Sequence, residues 1–205
     1  AKSCYDRIVM SFALMLCQKH GVPQSMCMMA AMSLLAAEYS IKTKYGVSTG
    51  TYSSTDDHPT HGPGQGSRIG PALWVLLSCL MFAAMDEKCR GAEFCDPTNS
   101  VSHLRTGDGF VDDVANVFNF GLANMIATEY SPTAIAAGMQ SEAQVWERLL
   151  WTTGGALNRS KCFYYVMAWS FTKNGTPILL NIPSMPSTKI SLTNGNDPIP
   201  SPVTY

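Results

Sequence analysis

The chain is short of charge. Only 14% of its 205 residues are Asp, Glu, Lys or Arg, against about 25% in a free-standing soluble domain. A surface this poor in charge implies that other parts of a larger protein cover some of its faces. The balance is also neutral, at −1, so the basic footprint of a nucleic-acid binder is missing. If the chain handles nucleic acid, the phosphate-neutralising Lys and Arg lie largely elsewhere. There are seven cysteines but no CxxC pair. Their odd number and their placing in apolar helical runs argue against a zinc site or a disulfide framework and leave reduced, buried thiols.

Other absences narrow the class further. The longest apolar run, Ala72 to Met85, is interrupted by Ser78 and reads as too short to span a bilayer. No signal peptide is visible and no initiating Met. The expectation is an intracellular protein, neither secreted nor membrane-bound, whose opening Ala1-Lys2-Ser3-Cys4-Tyr5-Asp6 reads as the middle of something longer. No internal repeat is present.

What is there is enough apolar material, 46%, for one domain with a tail. Tyr5 to His20 has helical spacing and stops at Gly21-Val22-Pro23. Gln24 to Tyr39 reads as a second helix whose many Met side chains fill a core. Ile41 to Val47 suits a strand, and the Ser, Thr, Gly, Pro, Asp and His of Thr49 to Ser67 predict a long mobile loop. A strongly apolar helix follows from Pro71 to about Met85. Arg105 to Asn119 holds a hairpin, Ser131-Pro132 opens a helix that ends at Gly154-Gly155, and Cys162 to Ile182 reads as a hairpin turning at Asn174-Gly175. Residues 183–205 are polar and Pro-rich and are expected to form a poorly ordered tail. Helices alternating with hairpins make the expected fold α+β, an antiparallel sheet backed by helices on one face.

The most telling segment is Asp108-Gly109-Phe110-Val111-Asp112-Asp113-Val114, read as a hairpin with Gly107-Asp108-Gly109 as turn material and two adjacent acids close to its bend. Carboxylates held on a rigid hairpin can grip divalent metal, and two-metal sites drive phosphoryl and nucleotidyl transfer. Taken alone, an Asp-Asp pair beside a turn is usually solvated. A second segment, His61-Gly62-Pro63-Gly64-Gln65-Gly66-Ser67-Arg68-Ile69-Gly70-Pro71, is glycine-rich and opens a helix. Glycines admit a ligand to the backbone, and the helix offers free N–H groups to an anion. It lacks the Lys-Ser/Thr ending of a P-loop and the spacing of a dinucleotide fold. Asp56, Asp57, His58 and His61 sit in a polar stretch without a helix to fix their spacing, and are read as solvated.

Taken together, these segments resemble the ordered motifs of reverse transcriptases. Gln65, Gly66, Gly70, Pro71, Leu73 and Trp74 are similar to motif B, with Gly70 where the family usually has Ser or Ala. Phe110-Val111-Asp112-Asp113 resembles motif C, Gly155 to Lys161 resembles motif D, and Ala1 to Ile8 resembles the back half of motif A. The resemblance covers most of residues 1–170 and implies the palm of a retroelement RNA-directed DNA polymerase, residues 1–182, with fingers and thumb largely absent. It implies two Mg²⁺ ions (Mn²⁺ as the alternative) on Asp112, Asp113 and a motif A aspartate that would fall immediately before Ala1. It further implies Tyr5 beneath the sugar of the incoming deoxynucleotide, Gln65 and Gly66 lining the nucleotide and template pocket, and Lys161 near the pyrophosphate. The implied partners are an RNA or DNA template-primer, dNTPs, and the rest of a parent polyprotein, including any RNase H or integrase. Since the motif A acid falls outside these residues, no polymerisation is expected from the 205 residues alone. Two other readings stand beside this one: an inactive retroelement remnant, and an unrelated metal-dependent phosphodiesterase using Asp108, Asp112 and Asp113.

Overall fold

In the computed structural model, residues 5–57, 61–64, 67–98, 100–110, 113–119, 132–165, 168–180 and 190–192 are described. Gly21-Val22-Pro23 ends the first helix, α1 (Met10–Lys19), by a full Schellman closure. Gly21 takes φ +90°, its N–H donates to the Gln18 carbonyl (3.0 Å), and the Val22 N–H donates to that of Cys17 (3.0 Å). Pro23, which cannot donate a backbone N–H, then caps α2 (Gln24–Leu35). A 3₁₀ turn, Tyr5–Arg7, precedes α1.

The chain then departs from its sequence reading. β1 (Glu38–Thr43) and β2 (Gly46–Ser53) form an antiparallel hairpin where a single strand was expected over Ile41–Val47, and its second strand takes Thr49–Ser53, the first five residues of what composition marked as loop. The methionines expected as core filling do not fill it: of α2 only Cys27 is buried, while Met26, Met28, Met29 and Met32 stand exposed. α3 (Ile69–Lys88) starts two residues before Pro71 and ends after Met85. At 20 residues it is long and apolar enough to cross a membrane by length and composition alone, which the interrupted run Ala72–Met85 did not indicate. Its stripe Leu73, Leu77, Met81 and Met85, at four-residue spacing, is buried inside the protein, as in a core helix.

Beyond α3 come β3 (Ala92–Cys95), β4 (Ser102–Arg105), β5 (Gly107–Phe110), β6 (Asp113–Asn116), α4 (Pro132–Thr152), a 3₁₀ turn at Arg159–Lys161, and the hairpin β7 (Ala168–Phe171) and β8 (Pro177–Leu180). The fold is thus α+β. Among the described residues the strands pair as four separate two-stranded antiparallel ladders, consecutive in sequence, in place of one sheet. Asn174-Gly175 is a turn as expected, with Gly175 at φ +78°.

The chain divides into two compact units, residues 3–80 with 152–155, and 81–151 with 1–2 and 156–205. In the first, Ile8, Leu16 and Trp74 are buried. In the second, Phe82 of α3 lies 5.4 Å from Trp146 of α4 between ring centroids. Ile190 and Leu192, within the stretch expected to be a poorly ordered tail, join Tyr164 in a buried cluster. Ser191 between them donates its N–H to Gln140 and accepts from Gln144, both at 2.9 Å. This short segment is docked on α4.

Candidate active site

The β5–β6 hairpin pairs Gly107 with Asn116, Asp108 with Ala115, Gly109 with Val114 and Phe110 with Asp113. Positions 111 and 112 between the last pair lie outside the described residues, so Asp112 is not described. Strand alternation puts Asp108, Phe110, Asp113 and Ala115 on one face and Gly107, Gly109, Val114 and Asn116 on the other. The glycine face explains the sequence: a Cβ on Gly109 would stand 3.0 Å from the Phe82 ring, and one on Gly107 would stand 2.8 Å from the Ala115 carbonyl. The missing side chain at Gly109 lets β5 lie against Phe82 of α3, and that at Gly107 lets it lie close to the backbone of β6. The opposite face is open, with Phe110 80% exposed and Asp113 exposed.

The base of this hairpin is tied down by polar contacts that sequence did not reveal. The Val117 N–H donates to Thr106 O (3.0 Å), and the Asn119 N–H donates to Gly91 O (3.1 Å). The Asn119 amide also clasps the backbone of Glu93, accepting its N–H and donating to its carbonyl, each at 3.1 Å. Thr106, itself buried, donates its hydroxyl to Asp86 at 2.7 Å. Residues 117–119 thus bind both β3 and the turn between β4 and β5.

Glu142 on α4 is, with Glu147, one of two buried acids on this helix, 5% exposed. Its Oε1 accepts the N–H groups of Arg90 (2.9 Å) and Gly91 (2.8 Å), while its Oε2 has no partner. Burial pushes its carboxyl pKa up, against the lowering effect of the Gly91 and Arg90 donors. Gly91 needs its glycine: φ is +62° and a Cβ would lie 2.6 Å from Arg105 O. Sequence reasoning passed over Glu142, although its place three residues after Met139 and four before Trp146 puts it at the edge of the buried stripe of α4.

Asp108 is engaged: Arg105 Nε donates to its Oδ1 at 3.0 Å and the guanidinium makes an ion pair with the same oxygen. Among the described residues no group of three His, Cys, Asp or Glu side chains is arranged to hold a metal ion. Of the polar stretch around His61, residues 58–60 lie outside the described residues.

In the other unit, the segments resembling motifs A and B meet, and the motif A segment also meets Thr153 and Gly154, just ahead of the segment resembling motif D. Tyr5 lies in the first 3₁₀ turn, half-buried. Gly62, at φ +72°, packs so closely on the Tyr5 carbonyl that no Cβ would fit. A Cβ on Gly70 would stand 3.5 Å from the Tyr5 ring and 3.4 Å from Pro63, ordinary contact distances. A small side chain fits at position 70. Gly154, at φ +90°, presses on the Arg7 carbonyl; Arg7 Nε donates to Gly154 O (3.1 Å), and the Val9 N–H to Thr153 O (3.0 Å). Gln65 and Gly66 lie outside the described residues. Lys161 ends the second 3₁₀ turn in the other unit, exposed, its N–H donating to Asn158 O at 2.9 Å.

No family model matches this chain, and no curated protein matches it.

Proposed function

We propose that this chain is the palm segment of a retroelement reverse transcriptase, a nucleotidyltransferase that extends a primer 3′-OH with deoxynucleotides on an RNA or DNA template. One observation carries the reading most: the β5–β6 register, with Phe110 opposite Asp113 and two positions between them. An acid such as Asp113 on the open face of a hairpin backed by a helix, with a second acid next to it in sequence, is what a motif C carboxylate site requires. The meeting of Tyr5 with Gly62 and Gly70 supports the ordered resemblance, because the segments resembling motifs A and B, about sixty residues apart in sequence, lie side by side.

The donor chemistry at the bend fits a hard divalent ion, since carboxylate oxygens are the ligands Mg²⁺ prefers. Asp112 and Asp113 would hold it, with an acid at the position preceding Ala1. Bound there, Mg²⁺ would supply charge stabilisation for the primer oxygen and the leaving pyrophosphate. The Tyr5 ring would exclude a ribose 2′-OH by contact, and Gln65 and Gly66 would line the nucleotide pocket. Lys161 would offer a proton and a positive charge to the leaving group. The phosphodiesterase alternative asks for a free Asp108, and that carboxylate is committed to Arg105.

Primer extension by a longer protein that supplies the upstream acid tests the reading. Asp112→Asn is expected to lower incorporation by at least about a hundredfold; equal activity in parent and variant would remove Asp112 from the site. No extension by either protein would favour an inactive remnant.

A further inference from the structure

The β1–β2 hairpin is exposed throughout. Every residue of β2 is exposed, and of β1 only Tyr39 is partly covered. A lone two-stranded hairpin is marginal in water, and this one is built from aromatics, lysines and small hydroxyl residues. Tyr39 and Tyr52 are cross-strand partners whose rings stack at 5.3 Å. Beside them the register shifts between Ser40 and Lys42, and there a Cβ on Gly50 would meet nothing within 4 Å. At the turn Tyr45 is 87% exposed, with the Lys44 ammonium 4.8 Å from its ring centroid.

The charge is one-sided. The hairpin carries Lys42 and Lys44 against a single acid, Glu38, which already accepts the Thr51 hydroxyl (3.4 Å). No acid among the described residues holds either ammonium. Flat aromatic faces beside lysines, with open space above glycines, form the stacking platform and phosphate contacts that single-stranded nucleic acid uses.

We propose that the β1–β2 hairpin is a contact surface for single-stranded nucleic acid, with Tyr45 stacking on a base and Lys44 and Lys42 meeting the flanking phosphates. The partner class rests on the polymerase reading, whereas the surface is read from the hairpin itself. Stacking on an aromatic tolerates any base, so the contact is independent of sequence, and it takes RNA and DNA alike.

The test is fluorescence anisotropy of the 205-residue chain with labelled single strands of about 16 nucleotides, one RNA and one DNA, across a salt series. Tyr45→Ala is expected to weaken binding about tenfold without changing the salt slope, and Tyr45→Phe to bind as the parent does. Lys44→Gln is expected to flatten the slope of log K against log salt by about 0.7. The proposal is overturned if the parent binds neither strand, if Tyr45→Ala binds as tightly as the parent, or if Tyr45→Phe is as weak as Tyr45→Ala. Self-association through the hairpin in place of strand binding overturns it in favour of a protein interface. The assay needs no metal, nucleotide or turnover, so its failure leaves the two-metal reading to its own primer-extension test.

Discussion

Truncating Glu142 to Ala strips the turn between α3 and β3 of its acceptor. Oε1 serves two backbone donors, Arg90 at 2.9 Å and Gly91 at 2.8 Å. Gly91 is buried, so its N–H has no access to water and its loss costs about 1–3 kcal/mol. Arg90 is exposed and water can reach its N–H, so the net loss there is nearer about 0.5–1.5 kcal/mol. Relief of the buried carboxylate works the other way and trims the total, leaving an expected destabilisation of about 1–4 kcal/mol. Glu142→Gln keeps the accepting oxygen and is expected to lose less than about 1 kcal/mol. Urea unfolding followed by far-UV circular dichroism measures both, with the slope compared to confirm a common unfolded state. If Glu142→Ala unfolds within about 0.5 kcal/mol of the parent, the two hydrogen bonds do not hold the turn and the account given for the hairpin base fails.

The same side chain sets a pH dependence. Because burial raises the folded carboxyl above its ordinary value of 4.5, the folded state binds the extra proton. Stability therefore falls as pH rises from 4.5 towards the raised folded value and is level beyond it; a pH series in which parent and Glu142→Gln run parallel would refute this. Gly154→Ala combines a positive φ with a side chain driven onto the Arg7 carbonyl and should cost about 1–3 kcal/mol more than Gly64→Ala, whose φ is +74° in open space; equal melting temperatures would show that the collision relaxes freely.

Much of the architecture was legible because helices declare themselves by period and stops. Gly21-Val22-Pro23 gave the end of α1, Asn174-Gly175 the turn before β8, and the long apolar stripe gave α3, each through local chemistry that needs no partner. β2 was not legible. Gly46-Val47-Ser48-Thr49-Gly50-Thr51-Tyr52-Ser53 has no buried face, and a strand without one carries no apolar alternation to read. α2 misled in the opposite sense, since a run of methionines has the composition of a core helix and only burial tells the two apart. At the candidate site a hairpin within Arg105 to Asn119 was expected and is present, but Gly107-Asp108-Gly109, read as its turn because of the two glycines, lies in β5, where those glycines face Phe82 and the partner strand. The clasp of Asn119 on Glu93 and the Glu142 contact with Arg90 and Gly91 were beyond reach. They join residues 26 and 51–52 positions apart, and no local pattern encodes such a pairing.

The methionines of α2 also give the chain a chemical address. Met26, Met28, Met29 and Met32 are 54–64% exposed, whereas Met81 and Met85 are 2% and 0% exposed. A thioether open to solvent is oxidised by peroxide to a polar sulfoxide, and one sealed in a core is spared. Mild peroxide followed by peptide mass analysis therefore marks these four together with Met15 of α1, which is 56% exposed, and any surface that settles on α2 in a longer protein will appear as a loss of sulfoxide at the four positions relative to Met15. An apolar helix left without cover thus becomes a built-in reporter of whatever covers it.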